Sequence, residues 1–224
     1  MNFWRKTVPL LPPPATELAP LGQSIWTPSA PAKSSISRPW VHLLLFALTM
    51  FSMSAAGAMQ QGVDPLSSMQ ALVHLVEGLP FAATLLFILT VHEFGHYFAA
   101  RHWGVKASLP YFLPLPYISF LGTLGAVIKI HSPIPHKRAL LDIGAAGPLA
   151  GFVIALIACF AGLARSSIVS IDALHVYPIE LGSPLLFSGI AALVLPEIGP
   201  NQLVLLNPVA FAGWVGLFIT AFNL

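Results

Sequence analysis

The stretch Pro80–Arg101, PFAATLLFILTVHEFGHYFAAR, decides how this chain is read. It is apolar and helix-compatible from end to end, with one interruption at His92, Glu93 and His96. A bilayer core about 30 Å thick is crossed by a helix of about 20 such residues. Arg101 marks one end of the segment, and His92 lies nine residues before it. At a rise of about 1.5 Å per residue, that histidine sits about 14 Å inward. An ionised acid at mid-helix costs about 2.5–3.5 kcal/mol, so such groups persist where they face a metal, a partner or a wet cavity.

Positions i and i+4 of a helix share one face. His92 and His96 have that spacing, and two imidazoles so placed can share a tetrahedral Zn2+ at about 2.0–2.1 Å. The pattern His-Glu-x-x-His is a zinc signature in which the glutamate serves as general base. Glu93 is therefore the candidate catalytic residue, and His92 and His96 are the candidate metal ligands. Zinc lowers the pKa of its water to about 7. The competing reading of the same three residues is a structural cluster or proton relay. Catalytic zinc commonly takes three protein ligands. Asp142 is the best-placed further candidate by depth, although a cap or an interhelix hydrogen bond is the simpler role for it. His74, Asp64 and Glu180 fall on the opposite side, and His102, His131 and His136 lie near a basic loop.

The rest of the chain agrees with a lipid environment. Of 224 residues, 56% are hydrophobic and 8% charged, against about 25% charged in ordinary soluble proteins. A net charge of +2 offers no basic face for nucleic acid. The single cysteine, Cys159, excludes an intrachain disulfide and a cysteine zinc cluster, and reads as a packing residue.

The expected fold is an all-α polytopic membrane protein with about four spanning helices, at about 40–58, 80–101, 140–163 and 203–224. Residues 1–39, with eight prolines, read as a disordered arm. Residues 40–224 form the membrane-embedded domain. Pro80 suits the first turn of the second span. Prolines 110, 114 and 116 rule out a straight helix over 107–130, where Thr123, Val127, Ile128 and Ile130 favour strand. Non-helical backbone at membrane depth must be buried in protein or line a wet cavity, so this segment reads as a re-entrant loop or short hairpin beside the catalytic helix. The small-residue series Gly144, Ala145, Ala146, Gly147, Ala150, Gly151 lets helices approach closely. Residues 184–195 are too short to cross and read as interfacial. Four Lys and Arg lie on the arm and five on the 101–138 loop, against Arg165 on the other side. The positive-inside rule puts the arm and that loop on the cytoplasmic or stromal side.

These residues resemble the site-2 protease family of intramembrane zinc metalloproteases. The resemblance rests on HEFGH at 92–96, DIGAAGPLAG at 142–151 and NPVAFAGWVGLFITAFNL at 207–224. PYFLPLP at 110–116 with LGTLGAVI at 121–128 is similar to the subgroup of chloroplast and bacterial members. It covers roughly residues 70–224. In that family an Asn-Leu pair like Asn223-Leu224 precedes a Leu-Asp-Gly segment whose aspartate is the third zinc ligand. The resemblance therefore places the third ligand beyond Leu224, and it implies a substrate-positioning role for Asn223. The connection 165–183 is too short for a PDZ-like domain. The implied function is zinc-dependent cleavage of membrane-spanning segments of membrane-protein substrates, in a bacterial cytoplasmic or an organellar membrane. The strand around Gly122 and Thr123 is expected to hold the unwound substrate by edge pairing. The alternative is a non-catalytic membrane protein, a pseudoprotease or a metal or proton transporter.

Overall fold

The computed structural model of the chain describes residues 38–173, 181–182 and 184–222. The arm read over residues 1–39 therefore lies, up to residue 37, outside the described residues. Helix α1 runs Pro39–Gln60. Its proline stands at the helix start, where an amide has no intrahelical partner to lose. The helix stops at Gln61 and Gly62, the latter in the left-handed region at φ +87°.

Helix α2 spans Leu75–His102 and is entered through a 3-10 turn at Ala71–His74. It begins five residues earlier than the sequence suggests, and Pro80 lies inside it rather than in its first turn. The reason is tertiary. Gly57 of α1 and Gly78 of α2 meet so closely that a Cβ at Gly57 would stand 2.8 Å from the Gly78 carbonyl oxygen. That crossing holds the turn around Pro80 helical even though proline offers no N–H to the carbonyl four residues back.

The segment after α2 is a hairpin. Strand β1 (Tyr111–Pro114) pairs antiparallel with β2 (Thr123–Val127), Tyr111 opposite Val127 and Phe112 opposite Ala126, with an irregularity before Pro114 opposite Thr123. Helix α3 (Lys137–Leu163) follows. Strand β3 (Ser167–Ser170) comes next, then the short helix α4 (Leu185–Val194), strand β4 (Gln202–Leu205) and helix α5 (Pro208–Phe222). The last span does not begin at 203 as expected: residues 202–205 pair with 167–170 in a second two-stranded ribbon. Asn207 sets the later start. A residue before proline avoids the α region, and the Asn207 carboxamide oxygen accepts the Val209 amide at 3.0 Å, as an N-cap does.

Among the described residues, three helical stretches are long and apolar enough to cross a membrane: Pro39–Gln60, Ala71–His102 and Lys137–Leu163. The chain is thus a helix-dominated polytopic membrane protein. Helix α2 is central, packed by α1, α3 and α5. One cluster joins Met53, Phe81, Leu85, Leu86 and Leu89 to Phe112 and Val215. The other joins Ile88 to Ala155, Cys159, Leu163 and Ala210. Cys159 is fully buried there, with its sulfur against Gly213. Leu43, Phe87, Phe98, Leu149, Val153 and Ile157 point outward. In water they would be a liability, but in lipid they face a solvent as apolar as themselves.

Candidate metal centre

Helix α2 presents His92, Glu93 and His96 toward α3 and the hairpin. His92 is 1% exposed and Glu93 6%, while His96 is half-buried. The one-turn spacing brings the two Nε2 atoms to 3.1 Å. His96 Nδ1 donates to the Ile143 carbonyl of α3 at 2.7 Å. With Nδ1 committed as a donor, Nε2 of His96 carries the lone pair.

The imidazoles fit because α3 is bare of side chains opposite them. A Cβ at Gly147 would overlap the His96 ring, nearest its Nε2. A Cβ at Gly151 would stand 3.0 Å from His92 Nδ1 and 2.9 Å from the Thr220 methyl of α5. On α2 itself, Gly95 sits between the two histidines against the Ala146 carbonyl, where a Cβ would come to 2.5 Å. Glycines on both helices therefore open one cradle, and two rings fill it. Two nitrogens bound to one tetrahedral ion at about 2.0–2.1 Å stand about 3.3–3.4 Å apart. The observed 3.1 Å lies close to that, and neutral imidazole is a donor suited to zinc. The residues present fit a zinc ion as two of its ligands. His92 Nδ1 is buried with no hydrogen-bond partner among the described residues.

Glu93 faces the hairpin. The Ile128 backbone amide, just past β2, is turned toward its carboxylate. The strand's alternation explains this. Ser108 donates its amide to the Lys129 carbonyl at 2.9 Å, so Lys129 points its main chain inward to the hairpin. Ile128, one residue before, points its own outward. The open edge of β2 thus faces the carboxylate.

The profile of Peptidase family M50 matches residues 80–224 of the chain. The chain belongs to peptidase family M50. Among its relatives, the probable zinc metalloprotease EGY1, chloroplastic, of Oryza sativa subsp. japonica is 33% identical over 220 residues, covering 88% of this chain and 37% of that protein. The probable zinc metalloprotease EGY2, chloroplastic, of Arabidopsis thaliana is 34% identical over 167 residues, covering 71% of this chain and 28% of that protein. The chain thus spans little more than a third, or less, of these curated relatives. No solved structure matches it to a significant level.

In this M50 chain no group of three His, Cys, Asp or Glu residues able to hold a metal occurs among the described residues. Asp142 does not join the histidines: its carboxylate accepts the Trp103 indole N–H at 3.1 Å, an interhelix bond between the end of α2 and α3. His74 pairs with Glu77 at 2.7 Å, and Asp64 accepts the Tyr117 hydroxyl at 3.1 Å. His136 is the N-cap of α3, accepting the Ala139 amide at 3.2 Å, while His102 and His131 are exposed. Glu180 and Asn223 lie outside the described residues.

Gly122 and Thr123 shape the hairpin. Gly122 has φ +75°, and a Cβ on it would stand 2.5 Å from the Ser52 carbonyl of α1. Thr123 is buried and donates its hydroxyl to the Leu113 carbonyl at 2.9 Å, tying the strands together. The M50 cradle glycines, Gly147 and Gly151, were visible in the sequence as a small-residue series. That they receive the imidazoles of His92 and His96 was not, because spacing within one helix does not say which face of another helix it meets. Ser52 and His42 of α1 carried no signal of their contact with the hairpin.

Proposed function

We propose that the chain is the core of a zinc-dependent intramembrane endopeptidase that cuts membrane-spanning segments of other membrane proteins. The observation that carries this reading is the paired Nε2 atoms of His92 and His96, 3.1 Å apart in the glycine cradle. Family membership and the printed names of the relatives support it.

In this reading His92 and His96 hold zinc, with the third protein ligand beyond Leu224. Zinc, when bound, polarises the scissile carbonyl and acidifies the attacking water. A carboxylate oxygen of Glu93 takes the proton from that water and delivers it to the departing amide nitrogen. The substrate must be extended to reach the site, since a helical peptide bond is enclosed by its own hydrogen bonds. The open edge of β2, from Thr123 to Ile128, supplies amides and carbonyls for an added strand. Because that edge faces Glu93, a paired substrate lies alongside the base. Gly122 and Thr123 hold the edge in shape, and Asn223 helps to position the substrate.

The chain crosses the membrane four times in this scheme, α5 being part of the last span. The arm and the 101–138 loop face the cytoplasm or stroma, as their Lys and Arg excess requires. The chloroplast relatives favour an organellar membrane.

The test is Glu93→Gln in the full-length protein. It is expected to abolish cleavage of a single-span polypeptide while zinc stays bound. Cleavage that persists refutes the role of Glu93. Metal transport across sealed vesicles without any cleavage would instead establish the transporter reading.

A further inference from the structure

We propose that α1 is a positioning element of the active site, setting the height of the hairpin so that the open edge of β2 meets Glu93. Helix α1 lies before the residues that the M50 profile matches, which begin at 80. The inference rests on the endopeptidase reading and assigns it a further set of residues.

Three side chains of α1 donate to main-chain carbonyls of the hairpin segment. His42 Nδ1 donates to Pro110 at 2.9 Å, Ser52 Oγ to Gly122 at 2.6 Å, and Gln60 Nε2 to Phe120 at 3.0 Å. At about 100° per residue these positions fall within about 80° of one another around the helix, so one face of α1 carries all three. They grip the hairpin at its root and at its tip. A fourth bond follows α1: the Tyr117 hydroxyl donates to Asp64 at 3.1 Å. Tyr117 is the one non-glycine with positive φ among the described residues, at +59°. A side chain in that region is held there by its surroundings.

Apolar packing alone would not set this height. The face of α1 that meets β1 includes Phe46 and Met50 near Phe112. Such contact is non-directional and tolerates sliding. A two-stranded ribbon is also marginal on its own. Hydrogen bonds to fixed carbonyls are directional, and the Gly122 carbonyl is fixed within the tip because it also accepts the Leu115 amide at 3.0 Å. Close approach adds to them at Gly122, whose Cα side faces the α1 backbone with no room for a Cβ. The hairpin therefore has one seat on α1. Ile128 N–H lies toward Glu93 as a consequence of that seat.

The test compares the full-length wild type with Ser52→Ala, Gln60→Ala and the double variant, reconstituted in phosphatidylcholine vesicles. Gln60 makes its contact at an exposed position, so Gln60→Ala keeps the core intact even if the buried Ser52 variant folds poorly. The probe is a synthetic single-span polypeptide with an Asn-Pro pair at mid-span. Kinetics, the product termini by mass spectrometry, and amide hydrogen exchange are read together. The expected result is a kcat lower by about 10- to 100-fold, the scale of an ångström-size misplacement. KM should stay near wild type, the product ends should spread to neighbouring bonds, and exchange should accelerate at residues 123–128 alone. Unchanged kcat and product ends overturn the proposal. So does a fall in kcat accompanied by lost protection throughout α2 and α3, which would make α1 a general stabiliser. A wild type that cuts nothing overturns the endopeptidase reading itself, and this inference with it.

Discussion

Replacing Gly147 by alanine tests the proposed metal centre without altering either proposed ligand. A Cβ there overlaps the His96 ring. Carbon atoms in ordinary contact stand about 3.5–4.0 Å apart, so ring and helix must separate by roughly 1 Å or more. Metal–ligand distances tolerate only about 0.2 Å. The ring cannot retreat freely, because its Nδ1 is bonded to the Ile143 carbonyl on the same helix α3 at 2.7 Å. Two effects oppose each other in stability. Alanine is favoured over glycine in a helix interior by about 1 kcal/mol, whereas overpacking costs about 1–3 kcal/mol. The net change is small, and the protein is expected to stay folded. Metal affinity has no such offset. Altering a residue that merely supports a ligand commonly costs about 10- to 100-fold, and displacement of the ligand itself should reach at least the upper end.

Gly151→Ala is the internal comparison. Its Cβ would stand 2.9–3.1 Å from Thr220 and His92, so neighbours need give only a few tenths of an ångström, and a loss of about 10-fold is expected. The assay is zinc content of the purified full-length protein and competition with a chelator, with helix content by circular dichroism. A folded Gly147→Ala protein that binds zinc as tightly as wild type, or a Gly151→Ala protein that binds more weakly than Gly147→Ala, refutes the cradle.

Asp142→Ala should leave zinc binding unchanged and lower thermal stability, since the half-buried Trp103 indole N–H loses its acceptor at a cost of about 1–3 kcal/mol; loss of zinc would make Asp142 a ligand after all. His136→Ala removes the cap on the Ala139 amide and should destabilise the start of α3 by about 1 kcal/mol. Faster hydrogen exchange confined to residues 139–141 is the readout, and unchanged exchange there would remove His136 as a cap.

The features legible from the residues alone are local or collective. The membrane follows from the sum of apolar side chains, which needs no contact to be known. The His-Glu-x-x-His spacing follows from the period of a single helix, so the pairing of His92 with His96 was legible before any packing. The broken backbone at 107–130 was legible too, because Pro110, Pro114 and Pro116 forbid a regular helix whatever surrounds them. Tertiary contact alone decided the rest. Helix α2 extends back past Pro80 to Leu75, where Gly57 and Gly78 bring α1 against α2. Residues 202–205 form a strand because residues 167–170 lie alongside, and four-residue segments carry no period of their own. Asp142 finds Trp103 across 39 residues of chain. Gly147 and Gly151 become a cradle only when α3 turns them toward α2, and Ser52 reaches Gly122 across 70 residues. A helix or strand period tells which side chains share a face. Which partner that face meets is fixed by how the helices cross, and that is a property of the whole fold.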